Sequence, residues 1–205
     1  MKVLLVNGSP HEKGCTYTAL CEIAKTLESE GVQTEIYWLG VGAYSGCRGC
    51  AACRTLGKCV IEDSVNEFAQ KAAEADGFIF GCAVHYASVT GEMKPFMDRL
   101  FYSYRGELRM KVGAVAAVAR RGGITSTFDR VNKYFTISGM PVASGQYWNG
   151  IHGSAAGEAE QDGEGLQQMR TLARNMAFLM KSIALGKEKY GLPEKERPVR
   201  TNFIR

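Results

Sequence analysis

The fold is decided by one loop, Val6-Asn7-Gly8-Ser9-Pro10-His11-Glu12-Lys13-Gly14-Cys15-Thr16. An apolar strand over residues 2–6 leads into this loop, and an amphipathic helix with apolar residues at i, i+3, i+4 and i+7 leads out of it. Gly8 and Gly14 allow the backbone to curl, and the first N–H groups of the helix have no partners within it. Together with the hydroxyls of Ser9 and Thr16 they predict an anion pocket, because a helix N-terminus also carries partial positive charge.

The glycine spacing of this loop excludes two common nucleotide-binding motifs. It matches neither G-x-G-x-x-G, the dinucleotide fingerprint, nor G-x-x-x-x-G-K-S/T, the Walker loop. A plain strand-to-helix turn that requires glycine is the alternative to phosphate binding.

The composition narrows the class of protein. The chain has 205 residues, enough for one domain with a substantial core, and 45% hydrophobic with 22% charged residues is ordinary for a soluble globular protein. The net charge of +4 is mild and the basic residues are scattered, so no nucleic-acid partner is expected. No apolar run approaches the roughly 20 residues of a membrane span, and the N-terminal apolar stretch ends at Asn7, too early for a signal peptide. We therefore expect a cytoplasmic protein with no membrane contact.

Segments of strand and helix character alternate along the chain. Strands are predicted at residues 2–6, 34–39, 77–81, 112–119 and 141–147. A capping-box sequence at residues 64–67 begins one of the intervening helices, and the last long helix is expected to begin at Leu166. The alternation predicts an α/β fold, a doubly wound sheet of five parallel strands with helices on both faces. Residues 1–185 are assigned to this domain, and the charged, proline-bearing residues 186–205 to an extended C-terminal tail.

Three loops are expected to meet beyond the carboxyl ends of the strands, where such sheets bind ligands: residues 9–16, 83–89 and 119–123. Here the sequence resembles the NAD(P)H-dependent FMN reductase branch of the flavodoxin-like superfamily. The matching stretches are Gly8-Ser9-Pro10 with Gly14 and Thr16, Cys47-Arg48-Gly49-Cys50 with Gly57-Lys58-Cys59, and Ser88-Val89-Thr90-Gly91 through Lys94, Phe96, Asp98 and Arg99. The resemblance covers roughly residues 1–185 and is strongest to the iron–sulfur flavoproteins. It implies FMN at the strand ends, and usually a homodimer or homotetramer.

The cofactor contacts follow from this resemblance and from the chemistry of FMN. The first loop is expected to cradle the phosphate through Ser9, Pro10, His11, Gly14, Cys15 and Thr16. The second loop is expected to contact the isoalloxazine ring through Ala83, Val84, His85, Tyr86, Ala87, Ser88 and Val89. Charge or N–H donors at the flavin edge, which stabilise reduced flavin, are expected from Arg120, Gly122 and Gly123. The family often has arginine at the position of His11 and asparagine at that of Cys15.

Several of these residues also have a plainer interpretation. His11 is equally well explained as a solvated loop residue, while His85 and Tyr86 can serve as packed anchors and Arg120 as a solvated arginine. Asp98 and Arg99 are expected to form a structural pair on their helix. No catalytic acid or base is assigned, because hydride passes directly from nicotinamide to flavin and the cofactor carries the chemistry.

Four of the seven cysteines are clustered. Cys47, Cys50, Cys53 and Cys59 have the spacing C-x2-C-x2-C-x5-C, which brings several thiolates into one small volume as a [4Fe–4S] cluster requires. Structural zinc usually takes two separated C-x2-C pairs. A cluster is therefore expected, with a thiol-rich loop without metal as the alternative. Cys21 and Cys82 are expected to fill the core.

Three functions remain open at this stage. The first is an FMN-dependent oxidoreductase that takes electrons from NAD(P)H and passes them to a quinone, a flavin or another acceptor. The second is an electron carrier that relays single electrons through FMN and a [4Fe–4S] cluster. The third is a non-enzymatic metal-binding or redox-sensing module, which bound FMN would exclude. The expected partner is a small-molecule acceptor or a redox protein. The apolar surface of the helix from Met93 to Tyr104, together with the tail, predicts a homodimer or homotetramer.

Overall fold

A sheet of five parallel strands forms the centre of the molecule. The computed structural model describes residues 1–201 and 203. The strands are β1 (Lys2–Asn7), β2 (Gln33–Trp38), β3 (Gly77–Ala83), β4 (Val112–Ala119) and β5 (Gly150–His152). They lie in the order β2-β1-β3-β4-β5, and every neighbouring pair is parallel. The predicted doubly wound α/β architecture is confirmed.

Helices cover both faces of this sheet. Those of the described residues are α1 (Cys15–Ser29), α2 (Cys53–Leu56), α3 (Ser64–Glu74), α4 (Met93–Ser103), α5 (Ile124–Ile137) and α6 (Gly163–Tyr190), with a 3₁₀ turn at Glu158–Gln161. One core joins the sheet to α1 and α6, and the other joins it to α3, α4 and α5. None of these helices combines the length and the apolar character needed to cross a membrane.

The strand residues alternate between the two cores. In β1, Val3 and Leu5 face α1 and α6, whereas Leu4 and Val6 face the opposite core. Every residue of β4 is buried, as expected for a parallel strand covered on both faces. Small side chains in β4 allow close helix packing, since a Cβ atom on Gly113 would lie 2.6 Å from the Phe135 ring.

The fifth strand was predicted at the wrong place. Residues 141–147 pair with β4 only through one bridge, between Val142 and Gly113, and the strand that completes the sheet is β5. The chain leaves the sheet after this bridge and folds into a loop, which Asn149 closes by accepting a hydrogen bond from the Gly145 N–H at 2.9 Å. The β-branched and aromatic residues of 141–147 therefore line a connection beside the strand.

The predicted tail begins too early. Helix α6 starts at Gly163 and continues to Tyr190, so residues 186–190 are helical and not extended. Lysines in the last turn favour this extension because they face the negative end of the helix dipole. Residues 191–201 and 203 have no regular secondary structure, and the remaining tail positions 202, 204 and 205 lie outside the described residues.

One further expectation about the helices was wrong, and another is only partly supported. The N-cap of α3 is Asp63, whose carboxylate accepts a hydrogen bond from the Val65 N–H at 3.0 Å, and the predicted cap Ser64 is already helical. The apolar residues of α4, Met93, Phe96 and Met97, are fully buried within this chain. Tyr102 of α4 is 43% exposed, so most but not all of the apolar surface of this helix is used inside the chain.

Candidate functional site

An open cavity of about 750 Å³ lies beyond the carboxyl ends of β1, β3 and β4. Its size is in the range of cofactor sites. The walls come from the loop after β1, the end of β3, the end of β4 and the loop after β5. The residues that line it are Ser9, Pro10, His11, Glu12, Lys13, Gly14, Cys15, Thr16, Trp38, Ala83, Val84, His85, Val118, Ala119, Arg120, Gly153, Ser154, Ala155 and Ala156.

The loop after β1 is held in shape by its own side chains. Buried Asn7 donates through Nδ2 to the Glu12 carbonyl at 2.8 Å and accepts from the Ser9 N–H at 3.1 Å. The Ser9 hydroxyl oxygen in turn accepts from the His11 N–H at 3.1 Å. These bonds hold the backbone in a curl around the cavity.

The first turn of α1 forms one wall of the cavity. Its N-cap Gly14 is extended, and no side chain of the described residues caps the free N–H groups. The first turn also contains no acidic residue, so its partial positive charge is not neutralised there. Thr16 is 2% exposed and packs at the end of β3, where a Cβ atom on Gly81 would lie 2.9 Å from its methyl group. This donor set fits a phosphate group.

The loop after β3 contains a tight backbone turn at residues 85–88. His85 and Ser88 exchange two backbone hydrogen bonds of 2.9 Å, and Tyr86 and Ala87 between them both have positive φ, at 48° and 56°. The Ser126 hydroxyl donates to the Ala87 carbonyl at 2.6 Å and fixes the turn to α5. Strained turns of this kind are concentrated at functional sites.

The structure places the predicted cofactor residues in two groups. All six residues of the first loop line the cavity, as do Ala83, Val84, His85 and Arg120. The fully exposed Tyr86 and the buried Val89 do not line it. Gly123 is packed beneath the turn, where a Cβ atom would meet Val84 at 2.8 Å. Ala87, Ser88 and Gly122 also lie outside the cavity wall. The contacts of these residues with flavin stay predictions.

Two parts of the cavity wall were not predicted from the sequence. Trp38 ends β2 beside Asn7 and donates from its indole nitrogen to the Ser9 carbonyl at 2.9 Å. Trp38 could have been predicted as a wall residue, because it is an aromatic residue at the end of a strand, on the edge of the sheet where ligands bind. The other part is residues 153–156, where the Ala155 carbonyl accepts from the Cys15 thiol at 3.0 Å. It was missed because β5 was predicted too early.

The four clustered cysteines line a second, small cavity beside α4. It is lined by Cys47, Arg48, Cys50, Ala51, Cys53, Cys59, Val60, Ile61, Arg99, Tyr102 and Ser103. Cys47 and Cys50 are exposed, Cys53 is only 5% exposed, and Cys59 is half-buried. All four clustered cysteines therefore line one cavity, and a cluster held by their sulfurs stays a prediction.

Arg99 connects the segment that carries the four clustered cysteines, residues 47–59 and here called the cysteine loop, to the core. Its guanidinium makes a two-pronged ion pair with Asp63, at 2.5 and 2.9 Å, and also donates to the Ile61 carbonyl at 2.9 Å and the Cys59 sulfur at 3.3 Å. Burial opposes the charged form, but the Asp63 carboxylate and the Cys59 sulfur outweigh this effect and raise the pKa of Arg99.

The predicted Asp98–Arg99 pair was wrong. Asp98 instead accepts from Lys94 at 2.6 Å and from the Tyr134 hydroxyl. The two neighbours differ because they project to different sides of α4: the Arg99 side chain is 0% exposed and that of Asp98 is 36% exposed.

Two more polar side chains hold the cysteine loop. Arg105, directly after α4, donates from Nε to the Cys53 carbonyl at 3.2 Å and from its terminal nitrogen to the Cys53 sulfur at 3.1 Å. Asn66 on α3 accepts from the Cys59 N–H at 3.1 Å and donates to the Cys59 carbonyl at 3.0 Å. The two ends of the C-x5-C segment are thus attached to the segment after α4 and to α3.

The type of ligand, and not a formed metal geometry, points to an iron–sulfur cluster. Within residues 1–201 and 203, no three His, Cys, Asp or Glu side chains are arranged to hold one metal ion. A single ion needs sulfurs that converge on one atom, whereas each cysteine of a [4Fe–4S] cluster binds a different iron, so their sulfurs stay apart around a cavity. The four cysteines in this cavity wall are the ligand type that such a cluster takes, and the cluster itself stays a prediction.

The other cysteines are separate from this group. Cys82 is fully buried in β3, which raises the pKa of its thiol and confirms its role as a core residue. Cys21 is only partly buried on α1, so the prediction that it fills the core was wrong. Cys15 belongs to the wall of the larger cavity.

Known proteins resemble this chain in sequence and fold. The sequence model of the NADPH-dependent FMN reductase family matches residues 1–154. An iron–sulfur flavoprotein of Methanocaldococcus jannaschii is 35% identical over 191 residues, which are 89% of this chain and 99% of that protein. Two solved structures share the fold: a flavodoxin from the domain Archaea, with a TM-score of 0.60, 18% identity and coverage of 88% of this chain and 99% of the flavodoxin, and an NAD(P)H:quinone oxidoreductase from Methanothermobacter marburgensis, with a TM-score of 0.66, 15% identity and coverage of 86% and 96%.

The strand order, the cavity at the strand ends and these likenesses define a flavodoxin-like FMN flavoprotein of the oxidoreductase class. The chain belongs to the NADPH-dependent FMN reductase family, within its iron–sulfur flavoprotein branch. The resemblance read from the sequence motifs is confirmed.

Proposed function

We propose that this protein is an electron-transfer oxidoreductase that uses FMN in the larger cavity and a [4Fe–4S] cluster held by Cys47, Cys50, Cys53 and Cys59. The observation that carries the proposal is the gathering of all four cysteines around one cavity. The M. jannaschii relative, named an iron–sulfur flavoprotein and matched over 99% of its length, supports it. When bound, FMN exchanges two electrons or one, and a [4Fe–4S] cluster exchanges one electron at a time.

The chain's own residues bind the cofactor and adjust the charge around it. The N–H groups at the start of α1 and the hydroxyls of Ser9 and Thr16 present donors to a phosphate. His85, Trp38 and Val84 provide flat or apolar surface for a ring in the same cavity. Arg120 lies at the end of β4 and supplies positive charge, which favours reduced flavin.

Substitution of Thr16 by valine tests the phosphate position. We expect FMN to bind more weakly by about 1–3 kcal/mol, roughly 5- to 150-fold in Kd, because a charged phosphate oxygen loses a hydrogen-bond donor. The measurement is quenching of FMN fluorescence on titration into apoprotein. Thr18→Val, on the same helix but outside the cavity wall, is the matched control. An unchanged Kd for Thr16→Val would place the phosphate elsewhere.

The electron donor is proposed to be NADH or NADPH, with a quinone, a flavin, another small molecule or a redox protein as acceptor. The family description favours NADPH, and the cavity is open to solvent at the strand ends, which leaves access for a second ring. Anaerobic mixing with NADH or NADPH tests the proposal, with the flavin absorbance followed over time. Fast bleaching supports the nicotinamide-dependent reductase. Absence of bleaching, with reduction by a one-electron protein donor, favours the electron carrier.

We also expect the protein to form a homodimer or homotetramer. Most of the apolar face of α4 is buried inside the chain. The support is the segment after α6, where Val199 and Phe203 are 95% and 91% exposed, together with Phe178 on the outer side of α6 at 74%. Apolar residues on an unstructured segment are well suited to cover a neighbouring copy. Multi-angle light scattering at micromolar concentration should give two or four times the mass of one chain, and a monomeric mass would contradict the expectation.

A further inference from the structure

Two arginines donate hydrogen bonds to the sulfurs of the two less exposed cysteines in the small cavity. The terminal nitrogen of Arg105 lies 3.1 Å from the Cys53 sulfur, and Nε of Arg99 lies 3.3 Å from the Cys59 sulfur. Cys53 is 5% exposed and Cys59 is half-buried, whereas Cys47 and Cys50 face solvent. Both arginines therefore donate to the cysteines that are least exposed to solvent.

The two guanidinium groups differ in net charge. Arg99 is paired with the Asp63 carboxylate, so this unit contributes a hydrogen bond to the sulfur but little net charge. Arg105 donates to the carbonyl and the sulfur of Cys53, and its neighbours in these contacts are uncharged backbone and thiol. Within residues 1–201 and 203, Arg105 forms no ion pair, so it supplies both a hydrogen bond and a positive charge.

Hydrogen bonds to cluster sulfurs and the local net charge are among the factors that set the potential of an iron–sulfur site. One-electron reduction places additional negative charge on the ligand sulfurs, and a cationic donor stabilises that state. Resting on the cluster site proposed above, we propose that Arg105 is a positioning residue that raises the reduction potential of the cluster through Cys53, with Arg99 assisting through Cys59. The cluster is thereby tuned to accept electrons more readily than the four thiolates alone would allow.

Arg105→Gln tests this inference because Arg105 lies at the surface and has little part in the core. In anaerobic, iron- and sulfide-reconstituted protein, we expect the ratio of reduced to oxidised cluster at a fixed ambient potential to fall about tenfold, which is 59 mV for a one-electron couple. The readout is a redox titration followed by electron paramagnetic resonance. Arg54→Gln is the matched control, since exposed Arg54 is the neighbour of Cys53 in α2 and removes the same charge. We expect a much smaller change for it.

Each result bears on the inference. Iron-loaded Arg105→Gln with the wild-type potential overturns it, as does an equal shift in Arg54→Gln, which would assign the effect to general charge. If Arg105→Gln binds no iron, Arg105→Lys is used, which keeps the charge but loses the two-pronged contact. A potential between that of the wild type and the value about 59 mV below it supports the inference. A potential higher than that of the wild type overturns it. Absence of any cluster in the wild-type protein would instead overturn the proposed function itself, a result that the iron content reveals before any potential is measured.

Discussion

Cys53→Ser should abolish the iron–sulfur cluster and leave FMN bound. Cys53 is the most deeply buried of the four clustered cysteines and begins α2, and its carbonyl and sulfur both accept hydrogen bonds from Arg105. A hydroxyl is a poor ligand for iron and cannot replace a thiolate in a buried position. The FMN phosphate loop lies after β1 and shares no cavity with Cys53, so flavin binding should persist.

The measurement compares iron, acid-labile sulfide and FMN in the variant after anaerobic reconstitution. We expect iron and sulfide near zero with FMN unchanged. Cys21→Ser is the control, because Cys21 lies on α1 outside both cavities and should leave the iron content as in the wild type. Full iron occupancy in Cys53→Ser would show that Cys53 is not a ligand, and loss of FMN together with iron would show that the two sites depend on each other.

Asp63→Ala should produce the largest loss of stability of the substitutions considered. The Asp63 carboxylate caps α3 through the Val65 N–H and also pairs with Arg99, whose side chain is 0% exposed. Its removal leaves a buried guanidinium without a counter-charge, which costs about 3–5 kcal/mol in buried pairs, and a lost N-cap adds about 1 kcal/mol. Because the Asp63 side chain is 29% exposed, we expect a loss near the lower end, about 3 kcal/mol.

Urea unfolding at a fixed, saturating FMN concentration measures this loss in the free energy of unfolding. Glu30→Ala serves as the control, since Glu30 pairs with Lys181 at the surface and such pairs contribute below about 1 kcal/mol. A loss for Asp63→Ala no larger than that of the control would show that water reaches the Arg99 guanidinium when Asp63 is removed. The structural role given to Arg99 in holding the cysteine loop would then be wrong.

Local sequence patterns were enough to predict the sheet and the first loop. Apolar runs in β1, β3 and β4 are continuous, as buried parallel strands require, and the glycines and hydroxyls around Ser9 and Thr16 lie within a few residues of one helix start. β5 was predicted too early because its three residues carry almost no periodic signal, while the β-branched and aromatic residues before it are strand-like without forming a strand.

Contacts between distant parts of the chain could not be predicted in this way. The cysteine spacing was evident from the sequence, but Arg105 reaches Cys53 across 52 residues and Asp63 takes Arg99 away from the adjacent Asp98. These contacts are determined by how α4 packs against the cysteine loop, and a local sequence pattern contains no information about that packing. The turn at Tyr86 and Ala87 could not be predicted either, because neither residue type indicates a positive φ, which is usually found at glycine.

The central claim is that the four cysteines hold a cluster in a protein that also binds FMN. The most direct measurement is the iron and acid-labile sulfide content per FMN of wild-type protein, prepared without oxygen and reconstituted with iron and sulfide. The account predicts about four iron atoms and four sulfides per chain, with broad absorption beyond the flavin bands. FMN-loaded protein with neither sulfide nor this broad absorption would contradict it.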